Sequence, residues 1–215
     1  MNNFSYENLS FYYGKKIIFD NVNIKINRGD VVALVGRNGS GKTTLLKIMA
    51  GIIQSNKSRA FDVSFLIEGP KFYPYMTALQ NLTYFGRLLN NGLLSIDEAL
   101  NFVGLTEYKN IKYAKMSLGM KQKLGIALSL MKDADTYLFD EPLNGLDYEG
   151  IQMFRRVIEY LKSINKTIVI SSHILSELDK YCNKAIILTE LHKCEPINIL
   201  HNKSIESYIK RGLYV

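Results

Sequence analysis

The chain has 215 residues, of which 47% are hydrophobic, enough to build the core of one domain or of one domain with a subdomain. It has no run of about 18 apolar residues, which excludes a bilayer-spanning helix, and its first residues lack the basic and apolar regions of a secretory signal. A net charge of +7 and a pI near 9.2 fit nucleotide, nucleic acid or an anionic membrane surface, but the cations are scattered, so charge alone does not choose among them.

Phe4 to Ile26 alternates strand-like pieces with turns. Tyr13-Gly14-Lys15-Lys16 predicts a hairpin turn, and Val22 to Ile26 alternates with period two, as a half-buried strand does. Arg28-Gly29-Asp30 turns the chain into Val31 to Val35, a buried-strand run. Directly after it come Gly36-Arg37-Asn38-Gly39-Ser40-Gly41-Lys42-Thr43 and a helical pattern from Thr44 to Ala50. Strand, Gly-x-x-x-x-Gly-Lys-Thr, helix is a phosphate-binding loop. Its glycines let the backbone aim N–H groups at a polyphosphate, and the helix N-terminus adds partial positive charge. Lys42 can reach the β- and γ-phosphates, and the Thr43 hydroxyl can bind Mg²⁺.

Another strand-like run, Val63 to Ile67, ends in Glu68-Gly69-Pro70. From about 72 to 130 the pattern is helical: Thr77 to Leu89, Ser95 to Val103 with a cap-like Ser95 and Glu98, and a stretch from Ser117 through Gln122 to Met131. Thr136 to Phe139 and Thr167 to Ile170 read as buried parallel strands, with a helix from Ile151 to Ile164 between them. The first ends in Asp140-Glu141, the second in Ser171-Ser172-His173. Strands alternating with helices imply an α/β fold: a mostly parallel sheet with flanking helices. The polar residues cluster at strand C-termini, where open α/β sheets hold ligands. An aspartate at a strand end can hold Mg²⁺, and a neighbouring carboxylate can deprotonate an attacking water, which suits Asp140 and Glu141. Cys182 and Cys194 match no metal spacing and are expected to be ordinary reduced thiols.

Three further features narrow the class: Ser117-Leu118-Gly119-Met120-Lys121-Gln122, Leu143-Asn144-Gly145-Leu146-Asp147 directly after Pro142, and His173 at the end of a third strand. In this order they resemble the ATPase subunit of an ATP-binding cassette transporter, over Leu9 to Leu188. The resemblance implies a P-loop NTPase-type sheet, a short antiparallel β-subdomain and a helical subdomain (about 72–130) inserted into a single nucleotide-binding domain. It implies that Tyr13 stacks on adenine, although the adjacent Tyr12 competes for that part and aromatics in such segments often belong to the core. Gly36, Asn38, Gly39, Ser40, Gly41, Lys42, Thr43 and Thr44 would hold ATP. Thr43, Glu68 and Asp140 would serve Mg²⁺, with Glu141 as general base and His173 on the γ-phosphate. Ser117 and Gly119 would close on ATP held by a second ATPase subunit in a head-to-tail dimer, and Asp147 would line the seam. A separate membrane permease is implied, with this chain peripheral on the cytoplasmic face of the membrane.

The chain departs from the family pattern in three places. The usual Leu-Ser-Gly-Gly-Gln is Met116-Ser117-Leu118-Gly119-Met120, Glu68 stands where glutamine is usual, and the stretch from Lys42 to Glu68 is short. The last predicts a trimmed β-subdomain around Gln54 to Asp62. Glu68 with Ser-Leu-Gly-Met-Lys-Gln resembles the bacitracin and lantibiotic self-protection branch, which implies export. Phe72, Tyr73, Tyr75 and Met76 either dock the permease or close a small core of their own. The other class of function is a soluble cassette ATPase acting on nucleic acid or the ribosome. DNA-repair members need a long coiled coil between loop and signature, for which there is no room, and translation-factor members normally carry two cassettes. No nucleic-acid partner is therefore expected. With a short stretch after His192, no regulatory domain is expected there.

Overall fold

A computed structural model describes residues 4–56, 61–89, 92–189, 194–198 and 204–207. Two strands, β1 (Phe4–Tyr13) and β2 (Lys16–Ile26), pair antiparallel as a hairpin whose turn is the predicted one at Gly14. The main sheet has the order β4 (Val63–Leu66), β5 (Thr136–Asp140), β6 (Thr167–Ser171), β3 (Val31–Gly36), β7 (Lys184–Leu188) and β8 (Cys194–Asn198). Its first five strands run parallel and β8 is antiparallel at the edge. The mostly parallel α/β fold expected from the sequence is thus the fold observed.

The strand sequences are apolar throughout because both faces of the sheet are covered. Val31, Ala33, Val35, Tyr137, Phe139, Ile168 and Ile170 point to one side and join one core cluster. Val32, Leu34, Leu138 and Val169 point to the other and join a second. The second cluster is closed by α1 (Lys42–Met49), through Leu45, Leu46, Ile48 and Met49, and by the hairpin, through Tyr6, Leu9, Phe19 and Ile24. The first is closed by α2 (Ala78–Gly86), α3 (Ile96–Phe102), α4 (Leu118–Met131) and α5 (Tyr148–Ser163). In α5 the buried Met153, Phe154, Val157, Ile158 and Leu161 follow the i, i+3, i+4 spacing of one helical face.

Side-chain caps set where several helices begin. Thr77 with Gln80, and Ser95 with Glu98, form reciprocal capping boxes on α2 and α3. Asp147 accepts from Gly150 N–H at 2.8 Å, so α5 starts a turn earlier than Ile151, where the sequence pattern put it. A short α6 (Leu175–Leu178) follows His173. The aromatic segment divides. Phe72 is buried against Phe85 and Tyr113, whereas Tyr75 is 66% exposed. Cys182 is buried, and burial pushes its thiol pKa up, well away from reactivity. Residues 57–60 of the stretch expected to be a trimmed β-subdomain, the Cys194 side chain and most of the segment after His192 lie outside the described residues.

Candidate functional site

Three adjacent strands, β5, β6 and β3, end side by side, and each delivers one part of the site. β3 runs into the phosphate loop. Gly41 caps α1 with φ 102°, a left-handed conformation open to glycine, and a Cβ there would come within 2.9 Å of the Ile18 side chain. The Lys42 ammonium donates to the carbonyls of Gly36 at 2.7 Å and Arg37 at 3.2 Å. The lysine is therefore held across its own loop rather than by a carboxylate.

β5 delivers the acids. Asp140 is 7% exposed, yet its carboxylate is fully engaged. Thr43 Oγ1 donates to Oδ2 at 2.7 Å, and Ser171 Oγ donates to Oδ1 at 2.5 Å. Parallel register explains the second contact, because Asp140 lies opposite Ser171 on β6. The next residue, Glu141, has φ 49°, a conformation that costs a non-glycine residue about 1–2 kcal/mol. β6 holds it there: Glu141 N–H donates to Ser171 Oγ at 3.0 Å and to the Ser171 carbonyl at 3.1 Å. That turn aims Glu141 into the phosphate cleft, where its Oε2 lies 2.8 Å from His173 Nδ1.

The cleft has a volume of about 430 Å³ and gathers Tyr13, Asn38, Gly39, Gly41, Lys42, Thr43, Thr44, Asp140 and Glu141, together with Lys16 and Ile18. Tyr13 is half exposed with its ring edge-on to Phe11, while Ser40 lines a neighbouring cavity with Arg37. Gly36 is the last residue of β3 and lies below the cleft. Ser117, Gly119 and Asp147 lie outside it. Ser117 caps α4 by accepting from Met120 N–H at 3.2 Å, as Asp147 caps α5. Gly119 lies against the Gly145 backbone, where a Cβ would come within 2.7 Å of the carbonyl oxygen.

Glu68 also lies off the cleft lining. Its carboxylate pairs with Lys47 at 2.7 Å, and that hydrogen bond lowers its pKa, outweighing the opposing effect of burial with help from the charges of Lys47 and Lys71. A divalent cation would find one hydroxyl and one carboxylate converging at Thr43 and Asp140. Among the described residues no group of three or more His, Cys, Asp or Glu could hold a metal. That donor set fits Mg²⁺, which keeps waters and takes phosphate oxygens rather than an all-protein cage.

Two residues escaped sequence reasoning. Ser171 joins Asp140 to the Glu141 backbone while fully buried; its place at a polar strand end was the available signal. Gln122, in α4, is buried and donates to the Pro142 carbonyl at 3.1 Å, fixing the turn after Glu141. Only the fold reveals that contact.

A parallel sheet, a glycine loop closing on a helix N-terminus and an acid pair at the neighbouring strand end define a P-loop nucleotide-hydrolysing protein. The family model described as ABC transporter matches residues 19–144. The chain is 38% identical to the lantibiotic transport ATP-binding protein SrtF of Streptococcus pyogenes, over 93% of this chain and 96% of that one. It is 37% identical to the bacitracin transport ATP-binding protein BcrA of Bacillus licheniformis, over 91% of this chain and 69% of that one. In fold it resembles a solved ATP-binding subunit of an ABC transporter, with a TM-score of 0.84 at 23% identity over 96% of this chain and 98% of that one. The chain belongs to the ABC transporter family, as an ATP-binding subunit with ATPase activity.

Proposed function

We propose that this subunit hydrolyses ATP at the cleft between the phosphate loop and Glu141, and that closure of two subunits on two ATP molecules drives a separate membrane permease. The observation that carries this reading is the bonding of Asp140 and Glu141: one acid locked between Thr43 and Ser171, its neighbour turned toward the phosphate cleft and touching His173.

The whole chain is read as one nucleotide-binding domain, with the helices of about 72–130 as its inserted subdomain. Adenine stacks on Tyr13. Gly39, Ser40, Gly41, Lys42, Thr43 and Thr44 hold the phosphates, with Gly36 and Asn38 completing the ATP-binding loop, and Lys42 exchanges its loop carbonyls for phosphate oxygens. Thr43, Asp140 and, by resemblance, Glu68 serve Mg²⁺, which when bound neutralises phosphate charge. Glu141 takes the proton of a water aligned with the γ-phosphate. His173 holds the Glu141 carboxylate and contacts the γ-phosphate. Ser117 and Gly119 of a second copy meet the same phosphate through a hydroxyl, backbone N–H groups and a helix N-terminus, so Met120 is tolerated where the family has glutamine. The Ser117 hydroxyl accepts from Met120 N–H, which leaves its proton free to donate. Asp147 lines the seam.

The permease dock is the apolar groove formed by Phe65, Phe85, Leu88 and Leu128, continued through Tyr73, which stacks on Phe85, to the exposed Tyr75. No helix among the described residues is long and apolar enough to cross a membrane, in keeping with a subunit peripheral on its cytoplasmic face. The relatives' names, lantibiotic transport and bacitracin transport, favour an antimicrobial peptide or similar compound as cargo, with export the direction the resemblance implies.

The first test is light scattering of Glu141→Gln with and without ATP, with Ser117→Arg added as control. A dimer that forms with ATP and is lost in the control supports the sandwich. A monomer under all conditions removes the homodimer reading.

A further inference from the structure

Lys47 and Glu68 form a pair that neither the phosphate loop nor the acid strand end accounts for. Thr43 and Lys47 are four residues apart in α1, so they share one face of the helix, one turn apart. Thr43 reaches Asp140, and Lys47 reaches Glu68 at 2.7 Å. Parallel register pairs Leu66 with Phe139. Glu68 and Glu141 therefore each leave the sheet two residues beyond paired positions, on strands about 4.8 Å apart. The ends of β4 and β5 thus carry three carboxylates: Asp140 and Glu141 line the cleft read as the ATP site, and Glu68 leaves the neighbouring strand beside them. Lys42 makes no ion pair with any of them, because its ammonium donates to loop carbonyls. Glu68 (φ 58°) and Gly69 (φ 74°) are both left-handed, and this turn brings the carboxylate back toward α1.

We propose that Lys47 is a positioning residue for Glu68: it holds that carboxylate against α1 and neutralises it, so that ATP approaches two carboxylates without a lysine partner rather than three. A glutamine at position 68 would bring no such charge. The inference rests on the cleft being the ATP site, and it concerns the pair before any metal is bound.

The test is the affinity for a fluorescent ATP analogue in EDTA, with thermal unfolding recorded for each variant. Lys47→Gln is expected to weaken binding about threefold to tenfold, as an unpaired like charge near the phosphates should. Lys47→Arg keeps the charge and should bind within about twofold of the parent chain. The deciding variant is Lys47→Gln combined with Glu68→Gln, expected to recover affinity to within about twofold. An equal loss in the single and double variants overturns the proposal, because Lys47 would then act on the phosphates or the helix directly. Were Lys47→Gln to unfold, recovery of the folded state by Glu68→Gln would support the pairing, and failure to recover would overturn it. The metal role of Glu68 is separate: an unchanged Mg²⁺ requirement for ATPase activity in Glu68→Gln would remove that role and leave the metal-free result standing.

Discussion

The acids at the end of β5 and the aromatics before α2 present chemistry in opposite ways. Asp140 is almost wholly buried, and its carboxylate accepts two short hydrogen bonds. Glu141 is turned by backbone contacts to β6 into a conformation it would not choose alone. Tyr73 instead meets Tyr84 edge-on and Tyr75 at a tilt at a partly open surface, and its face stacks on Phe85, which meets the buried Phe72. The first region is over-determined, as a site must be when a proton has to move between fixed atoms. The second leaves apolar surface for something else to cover. One surrounding fold thus supplies rigidity at the acid strand end and leaves apolar surface where the permease dock is proposed.

Four substitutions would break or sharpen this contrast. Glu141→Gln removes the base and keeps the volume, so phosphate release should fall about 10²- to 10⁴-fold while ATP affinity changes little. Retained turnover would show that the strand-end geometry is not catalytic. Phe72→Ala should cost about 3–5 kcal/mol in denaturant unfolding, since it empties a core position; a cost below about 1 kcal/mol would place Phe72 with the exposed aromatics instead. Ser171→Ala takes one hydroxyl from both acids. It should lower kcat about 10- to 100-fold, the value of a hydrogen bond to a charged group, with KM for ATP unchanged within about twofold, and Ser171→Thr should recover much of the loss. A parallel rise in KM would mean that Ser171 merely supports the cleft. Tyr75→Ala is the mildest, within about 0.5 kcal/mol in unfolding, yet it should release the subunit from permease-containing membranes in a flotation assay. Normal membrane retention would sink the docking role of this patch.

The parts of the site legible in the sequence are those that local chemistry dictates. A glycine at position 41 and a lysine at 42 after a buried strand leave few alternatives to a phosphate loop, and acids directly after an apolar run must lie at a strand end. Ser95 and Glu98 announced a helix start by hydrogen bonds that span only three residues. Ser171 was visible merely as a polar residue, because its meaning depends on which strand lies beside β6. Glu68 was visible as a substituted residue, but its partner Lys47 was not, since a helix and a strand end meet only in the folded chain. Phe72 and Tyr75 read alike in sequence, and burial separates them.

The sequence by itself determined the alternation of strands and helices, the phosphate loop and the order of the family motifs, because periodicity, glycine conformational freedom and capping act over a few residues. The tertiary structure alone decided that β6 lies between β3 and β5. That order brings Ser171 under Asp140 and His173 onto Glu141, and the pairing of β4 with β5 beside α1 sets Lys47 against Glu68. Those contacts follow from sheet order and register, which the packing of both sheet faces fixes globally rather than any short stretch of chain.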